Sequence, residues 1–360
     1  MKAADNILQL IGNTPVVRIN RLAETGANLF AKLEYMNPGG SVKDRIGISM
    51  ISAAREKGIL KKGMTIIEPT SGNTGVGLLL AAIQLGYNMV FTIPDKQSME
   101  KVNLLKAYGG LPIITPTNVE PEDSRSYYKV AVILKNVINN EKSPPDPKRL
   151  EEIVAEVDKL VKENNVKELK RLLDTPGKNS NAFIPNQYSN MANPLAHYRT
   201  TGPEIWEQTG GKIDIFVVGM GTGGTISGTG RFLKEKNPRV KIVGVDTEGS
   251  ILRHHFYGTE GTAHSYKIEG IGEDFIPETT DFSVVDEIIT VSDRDAYFTA
   301  RELARKEGIL TGSSGGAAMS GAMQVCRKAG KKIVVVLLPD SGRSYLSKLY
   351  NDQWMKENFP

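Results

Sequence analysis

An α/β fold, with a mostly parallel sheet covered by helices on both faces, is predicted by three observations. Short β-branched runs alternate with amphipathic helical patterns along the chain. The helical patterns close on glycines suited to the left-handed residue that ends a helix. Glycine-rich turns fall where strands pass into helices, the place where such sheets bind ligands. Strand-helix alternation of this kind needs crossover helices on both sides of a parallel sheet.

In chain order, "RIGISMISAAREKG" (45–58) reads as a helix, "TIIE" (65–68) as a buried strand and "VGLLLAAIQLG" (76–86) as a second helix. "MVFTI" (89–93) and "PIIT" (112–115) are further strands. Residues 139–181 break the rhythm, opening with "NNEKSPPDPKR" and closing with "DTPGKNSN". Between these polar ends Leu150, Ile153, Val154, Val157, Leu160 and Val161 form one helical stripe, followed by a shorter "VKELKRLL". The segment reads as a helical insertion packed on a domain, either inert or acting as a lid or oligomer contact. Alternation resumes with strands at "IFVV" (215–218), "KIVGV" (241–245) and "IVVVLL" (333–338).

The composition narrows the function classes. The 360 residues carry 45 basic and 41 acidic side chains, a net +4 with no basic arm, so nucleic acid is not an expected partner. No apolar run approaches bilayer length and "MKAADNILQLIGNTP" lacks an apolar signal core, so neither a membrane partner nor secretion is expected. A single cysteine, Cys326, excludes an internal disulfide and a cysteine-cluster metal site, and points to a reducing cytoplasm. His254, His255 and His264 fall in "LRHHFYGTEGTAHS", which reads as an irregular polar loop, and no metal is expected.

Four stretches carry chemistry. In "NPGGSVKDR" (37–45) Ser41 caps a helix and Asp44 completes a cap-like pattern. Lys43 stands in the first helical turn, where the dipole opposes a cation. It is either a solvated surface lysine or, if buried, an amine with lowered pKa. In "EPTSGNTGVG" (68–77) a strand ends at Glu68, and Thr70, Ser71, Gly72, Asn73 and Thr74 turn into a helix. Hydroxyls, an amide and free N–H groups there suit a carboxylate or phosphate better than a plain capped turn explains. "GMGTGGTISG" (219–228) fits a dinucleotide pattern, with Asp246 placed as a ribose-binding acid would be. Gly221, Thr222, Gly223, Gly224 and Thr225 suit one compact phosphate equally well. In "LTGSSGGAAMSGA" (310–322) Ser313 and Ser314 precede a helix, as neutral hydroxyls for a ligand or as a simple cap. A nucleophilic lysine, two anion cradles and a neutral hydroxyl together are the parts of a pyridoxal phosphate site.

These motifs, from "LQLIGNTPVVRIN" to "YLSKLYNDQWM", make the chain similar to the fold-type II pyridoxal phosphate enzymes, the family of cystathionine β-synthases and cysteine synthases. The resemblance implies a tryptophan synthase β-like arrangement: two open, twisted, mostly parallel sheets flanked by helices. It implies a larger cofactor-binding domain (1–40 and 150–360, with the insertion at about 139–181) and a smaller mobile one (41–149). It implies pyridoxal 5'-phosphate as cofactor, Lys43 as its covalent partner and proton shuttle, and Asn73 on its ring oxygen. It places Gly221, Thr222, Gly223, Gly224 and Thr225 on the phosphate and Ser314 opposite the ring nitrogen. Thr70, Ser71, Gly72 and Thr74 are expected on the substrate carboxylate, with Gln187 and Tyr188 closing over it, and Gly270 of "EGIG" bordering the substrate amine. The implied reaction is β-replacement on serine or O-acetylserine by a thiol, in a cytoplasmic homodimer. Haem is not expected, since Cys326 lies too late to serve one. "NQYSNMANPLAHY", with Tyr188 where cysteine synthases carry phenylalanine, favours homocysteine as the thiol, with sulfide as the alternative. A fold-type II dehydratase, disfavoured because "TSGNTG" stands where a "SAGNH"-like turn would be expected, a non-catalytic relative that binds an amino acid or peptide, and a dinucleotide-binding oxidoreductase complete the alternatives.

Overall fold

A computed structural model of the chain describes residues 3–22, 28–70, 72–95, 97 and 99–360. The described strands are β1 (Val16–Arg18), β2 (Asn28–Leu33), β3 (Thr65–Pro69), β4 (Asn88–Pro94) and β5 (Leu111–Thr115). They continue with β6 (Ala182–Phe183), β7 (Ile215–Gly219), β8 (Lys241–Thr247), β9 (Glu287–Val291) and β10 (Ile333–Leu338). The helices begin with α1 (Lys43–Glu56), α2 (Asn73–Leu85), α3 (Met99–Ala107), α4 (Tyr127–Asn140), α5 (Pro147–Lys162) and α6 (Val166–Leu173). Then come α7 (Ala192–Arg199), α8 (Thr201–Gln208), α9 (Gly224–Lys236), α10 (Leu252–Tyr257), α11 (Asp293–Glu307), α12 (Ser313–Ala329) and α13 (Asp352–Asn358).

The chain forms two compact units, one of residues 1–8 and 47–186 and the other of 9–46 and 187–360. In the larger unit six strands run in the order β1-β2-β10-β7-β8-β9, every neighbouring pair parallel except antiparallel β1–β2. Both faces of this sheet are covered. Val217, Val243, Val245, Val334 and Val336 lie in one core cluster, while their neighbours Phe216, Val218, Ile242, Val335 and Leu337 lie in another. A strand buried on both sides must be apolar without interruption, and "IFVV" and "IVVVLL" are. The smaller unit holds a parallel sheet of order β5-β4-β3-β6. The α1 helix crosses α2 at Gly47, where a Cβ would stand 2.2 Å from the Gly77 carbonyl carbon, so no larger residue fits this crossing.

The insertion departs from the expected division. Asp146 caps α5, whose first residue is proline, and Asn165 caps α6. Leu150, Ile153, Val154, Val157 and Val161 of α5 pack with Ile133, Leu134 and Ile138 of α4 and with Ile67, Val90 and Ile113 of the four-stranded sheet. Apolar packing thus places 150–181 in the smaller unit, not the larger one, and the unit boundary falls inside α1 after Ile46 rather than at 40. Ile153 is wholly buried, so Ile153→Ala is expected to cost about 2–5 kcal/mol of stability in urea unfolding. A loss below about 0.5 kcal/mol would identify the insertion as a loosely attached decoration.

Candidate active site

In the larger unit α1 begins at Lys43, its start held by local bonds. The Lys43 N–H donates to Ser41 Oγ (3.2 Å), and the Gly39 N–H donates to Asp44 Oδ2 (2.5 Å). Ser41 pairs across a β-bridge with Asp340, and the Val42 N–H donates to the Pro339 carbonyl (2.8 Å). The lysine is therefore anchored to the carboxyl end of β10, one strand away from the β7 turn.

Burial pushes the Asp44 carboxyl up to about 7, against the pull of the Gly39 N–H. The unfolded chain releases this proton near 3.8, so its stabilising contribution is full below that pH and is lost as pH rises through about 7. Asp44→Asn is expected to flatten the decline of unfolding free energy between about pH 4 and about pH 7. An identical decline in variant and wild type would show that Asp44 does not titrate in this range.

The loop after β7 is closely supported. Gly223 has φ +80°, and a Cβ there would lie 1.9 Å from Thr280 Oγ1. A Cβ on Gly224 would lie 1.9 Å from Asn193 Oδ1, and one on Gly221 would lie 2.7 Å from the Gly270 carbonyl oxygen. The Asn193 amide donates to Thr222 Oγ1 (3.1 Å) and to the Gln187 carbonyl (2.8 Å). Thr279 Oγ1 donates to the Thr222 carbonyl (2.5 Å), and its N–H to that of Tyr188. Ser313 Oγ accepts from the Glu269 N–H (3.0 Å), while Ser314 is buried with its hydroxyl 3.7 Å from where a Gly270 Cβ would be. Hydrogen bonds and close approaches thus bring Gln187, Tyr188, Gly221 through Thr225, Gly270 and Ser314 to one end of the sheet. Asp246 plays a different part from the one its spacing suggested. Buried, it accepts from the Thr247 and Arg253 N–H groups (2.9 Å each), so its carboxylate is engaged by its own backbone turn. His254 and His255 lie on α10 rather than in an irregular loop, because Gly258, left-handed at φ +63°, closes a short helix there.

In the smaller unit β3 passes into α2 through Thr70, Gly72, Asn73 and Thr74. Ser71 lies outside the described residues. Thr70 Oγ1 accepts from the Gly72 N–H (3.2 Å), and Gly72 has φ +128°. The cap positions of α2, α9 and α12 are Gly72, Gly223 and Gly312, whereas Ser126, Asp146, Asn165, Ser292 and Asn351 cap α4, α5, α6, α11 and α13 through their side chains. Glycine has no side-chain oxygen to offer the first N–H groups of a helix, so these three starts lack the side-chain cap that the other five have.

A buried ionic network beneath α1 was not read from the sequence. Arg45 donates to Glu34 (2.7 and 2.8 Å) and to Glu204 (2.6 and 2.8 Å). Lys32, fully buried in β2, donates to Glu204 Oε2 (2.6 Å), Gln208 Oε1 (2.9 Å) and the Thr14 carbonyl (2.7 Å). Burial pushes the Glu34 carboxyl up, but the Arg45 guanidinium and hydrogen bonds from Arg45 and Thr14 outweigh it and hold it at about 2. His197 and Asn193, which touch the β7 loop, were also not singled out; the visible signal was their i,i+4 spacing in "NPLAH".

A lysine fixed at one helix start and a glycine-threonine anion cradle at another, in one α/β unit, define an enzyme that carries a phosphorylated cofactor. The chain belongs to the pyridoxal-phosphate dependent enzymes, whose family model matches residues 7–340. It is 44% identical over 361 residues to the cystathionine beta-synthase of Rattus norvegicus, covering 98% of this chain and 56% of that protein. It is 43% identical over 356 residues to the cystathionine beta-synthase of Dictyostelium discoideum, covering 98% and 63%. The chain therefore spans somewhat over half the length of these curated relatives. A solved hydrogen sulfide-producing enzyme from Fusobacterium nucleatum superposes with TM-score 0.76 at 36% identity, covering 96% of this chain and 99% of that one. A cysteine synthase from Entamoeba histolytica gives TM-score 0.76 at 34% identity, covering 97% and 91%. The residues fit the cofactor: Thr280 Oγ1, packed against Gly223 of the loop, is buried without a hydrogen-bond partner among the described residues. No helix among the described residues is long and apolar enough to cross a membrane, and none of their acidic, histidine and cysteine side chains group as a metal site.

Proposed function

We propose that the chain catalyses β-replacement, joining serine to homocysteine to form cystathionine. The similarity to cystathionine beta-synthases over 98% of the chain carries this reading. Bound pyridoxal phosphate supplies an electron sink that acidifies the substrate Cα–H and lets the Cβ substituent leave. Lys43 removes the Cα proton as a positioned base and returns it after the thiol has added. Thr70, Ser71, Gly72 and Thr74 bind the substrate carboxylate, with Gln187 and Tyr188 above it, and Gly270 borders the amine. Asn73 donates to the ring oxygen, and Gly221 through Thr225 hold the phosphate with backbone N–H groups and two hydroxyls. Ser314, a neutral hydroxyl at the ring nitrogen, leaves that nitrogen unprotonated and favours elimination over transamination. A cytoplasmic homodimer completes the reading.

A second reading has its own support. The solved cysteine synthase named above, 34% identical to this chain, favours O-acetylserine and sulfide. Visible absorption separates the two. Serine is expected to shift the visible band of the cofactor-loaded protein, and homocysteine to reverse the shift with release of cystathionine. A shift only with O-acetylserine, reversed only by sulfide, would replace this reading with the second. A protein that stays colourless with added pyridoxal phosphate would overturn both.

A further inference from the structure

α7 packs on α9 where Gly228 leaves room; a Cβ there would lie 2.0 Å from the Pro194 carbonyl oxygen. From this contact two α7 side chains, one turn apart, each reach one threonine of the β7 loop. Asn193 meets Thr222, and His197 Nε2 lies 3.2 Å from Thr225 Oγ1. On its other side His197 Nδ1 lies 2.9 Å from Thr201 Oγ1 at the start of α8. His197 is only 1% exposed. Burial, then the Arg45 charge, lowers its pKa to about 3, against Glu34 and Glu204, so the imidazole is neutral and has a single N–H.

A neutral imidazole between two hydroxyls has two arrangements. With the proton on Nδ1, it donates to Thr201, and Nε2 takes the Thr225 hydroxyl proton. Thr225 then turns a lone pair toward any anion in the loop. With the proton on Nε2, Thr201 donates to Nδ1, and Thr225 accepts from the ring and keeps its own proton for the anion. A phosphate dianion favours the second, since hydrogen bonds to charged acceptors are roughly twice as strong as neutral ones. Asn193 works in the same sense: its amide donates to Thr222 Oγ1 and leaves that hydroxyl proton free.

We infer that His197 is a positioning residue of the phosphate loop, its Nε2–H donating to Thr225 Oγ1 so that the Thr225 hydroxyl points its proton at the cofactor phosphate. The inference rests on the assignment of Gly221 through Thr225 to that phosphate.

Nitrogen NMR of the cofactor-loaded wild type is expected to show the His197 proton on Nε2. His197→Gln keeps an N–H donor near the Nε2 position, and His197→Leu removes it. Cofactor release is expected to be about tenfold faster or more in His197→Leu and within a few-fold of wild type in His197→Gln. The phosphorus resonance of the bound cofactor is expected to move in His197→Leu alone. In a Thr225→Val background His197→Leu is expected to add nothing further. A proton on Nδ1 in the loaded wild type, or undisturbed release and phosphorus shift in His197→Leu, would overturn the inference while leaving the loop assignment intact. Loss of cofactor binding in Thr225→Val no greater than at an exposed control site, with release unchanged in His197→Leu, would sink the loop assignment and the inference with it.

Discussion

Lys43→Ala is expected to give a folded protein that binds pyridoxal phosphate only reversibly, lacks the wild-type visible band and turns over at least ~10³-fold more slowly. The size follows from the lysine's two proposed tasks, covalent partner of the cofactor and carrier of the Cα proton, neither of which alanine performs. Folding is expected to survive, because Ser41 Oγ accepts from the backbone N–H at position 43, a bond that any residue there makes. Alanine also removes a cation from a helix start, where the dipole disfavours it by a few tenths of a kcal/mol. Circular dichroism and thermal unfolding check the fold beside the spectra and the turnover assay. Wild-type-like turnover in a folded Lys43→Ala protein would move the base elsewhere.

Arg45→Met is expected to destabilise the larger unit by about 3–5 kcal/mol, a large fraction of the ~5–15 kcal/mol typical of a domain. Glu34 is fully buried and, among the described residues, would keep only Thr14 Oγ1 (2.6 Å) and the Asn37 amide (3.0 Å) as hydrogen-bond partners, with no cation in contact. Without the guanidinium, burial governs the Glu34 carboxyl, whose folded pKa then rises above the unfolded value. The sign of the pH response follows: the variant recovers stability as pH falls and loses it as pH rises through the new folded pKa. Glu34→Gln in the same chain removes the stranded charge and is expected to restore part of the loss. Urea unfolding of the single and double variants measures both effects. A loss under about 1 kcal/mol would mean that water reaches the network and replaces the arginine.

Continuous apolar runs were the legible part of the fold, even in the edge strand β5. "TIIE", "MVFTI", "PIIT", "IFVV", "KIVGV" and "IVVVLL" all fall within observed strands, since continuous apolar runs have few other places to be. β1, β2, β6 and β9 escaped for local reasons. β1 and β6 have three and two residues. In β2 the apolar run is broken by Lys32, which is buried only because Glu204 and Gln208, distant in sequence, meet it. β9 is an edge strand with a partly exposed pattern. The α5 stripe was visible as periodicity, but periodicity names no partner, so the unit that it covers was misassigned. The turns at 70–74 and 221–225 stood out because glycine and hydroxyl residues concentrate at strand-helix junctions. The supports behind the 221–225 turn, Asn193, His197 and Thr279, are ordinary polar residues whose meaning lies in three-dimensional proximity.

The pairing of β2 with β10 has a consequence for how the chain is made. Asn28 pairs with Ile333, and Leu33 with Leu338, so the inner neighbour of β2 is the last strand of the sheet to leave the ribosome. Residues 47–186, by contrast, are one continuous stretch and supply all four strands of their own sheet. During synthesis that stretch can complete its sheet while β2, with Lys32 in it, still waits more than a hundred residues for its partner. The nascent segment around β2, with an unpaired strand edge, is the part of the protein in need of shelter until β10 has emerged.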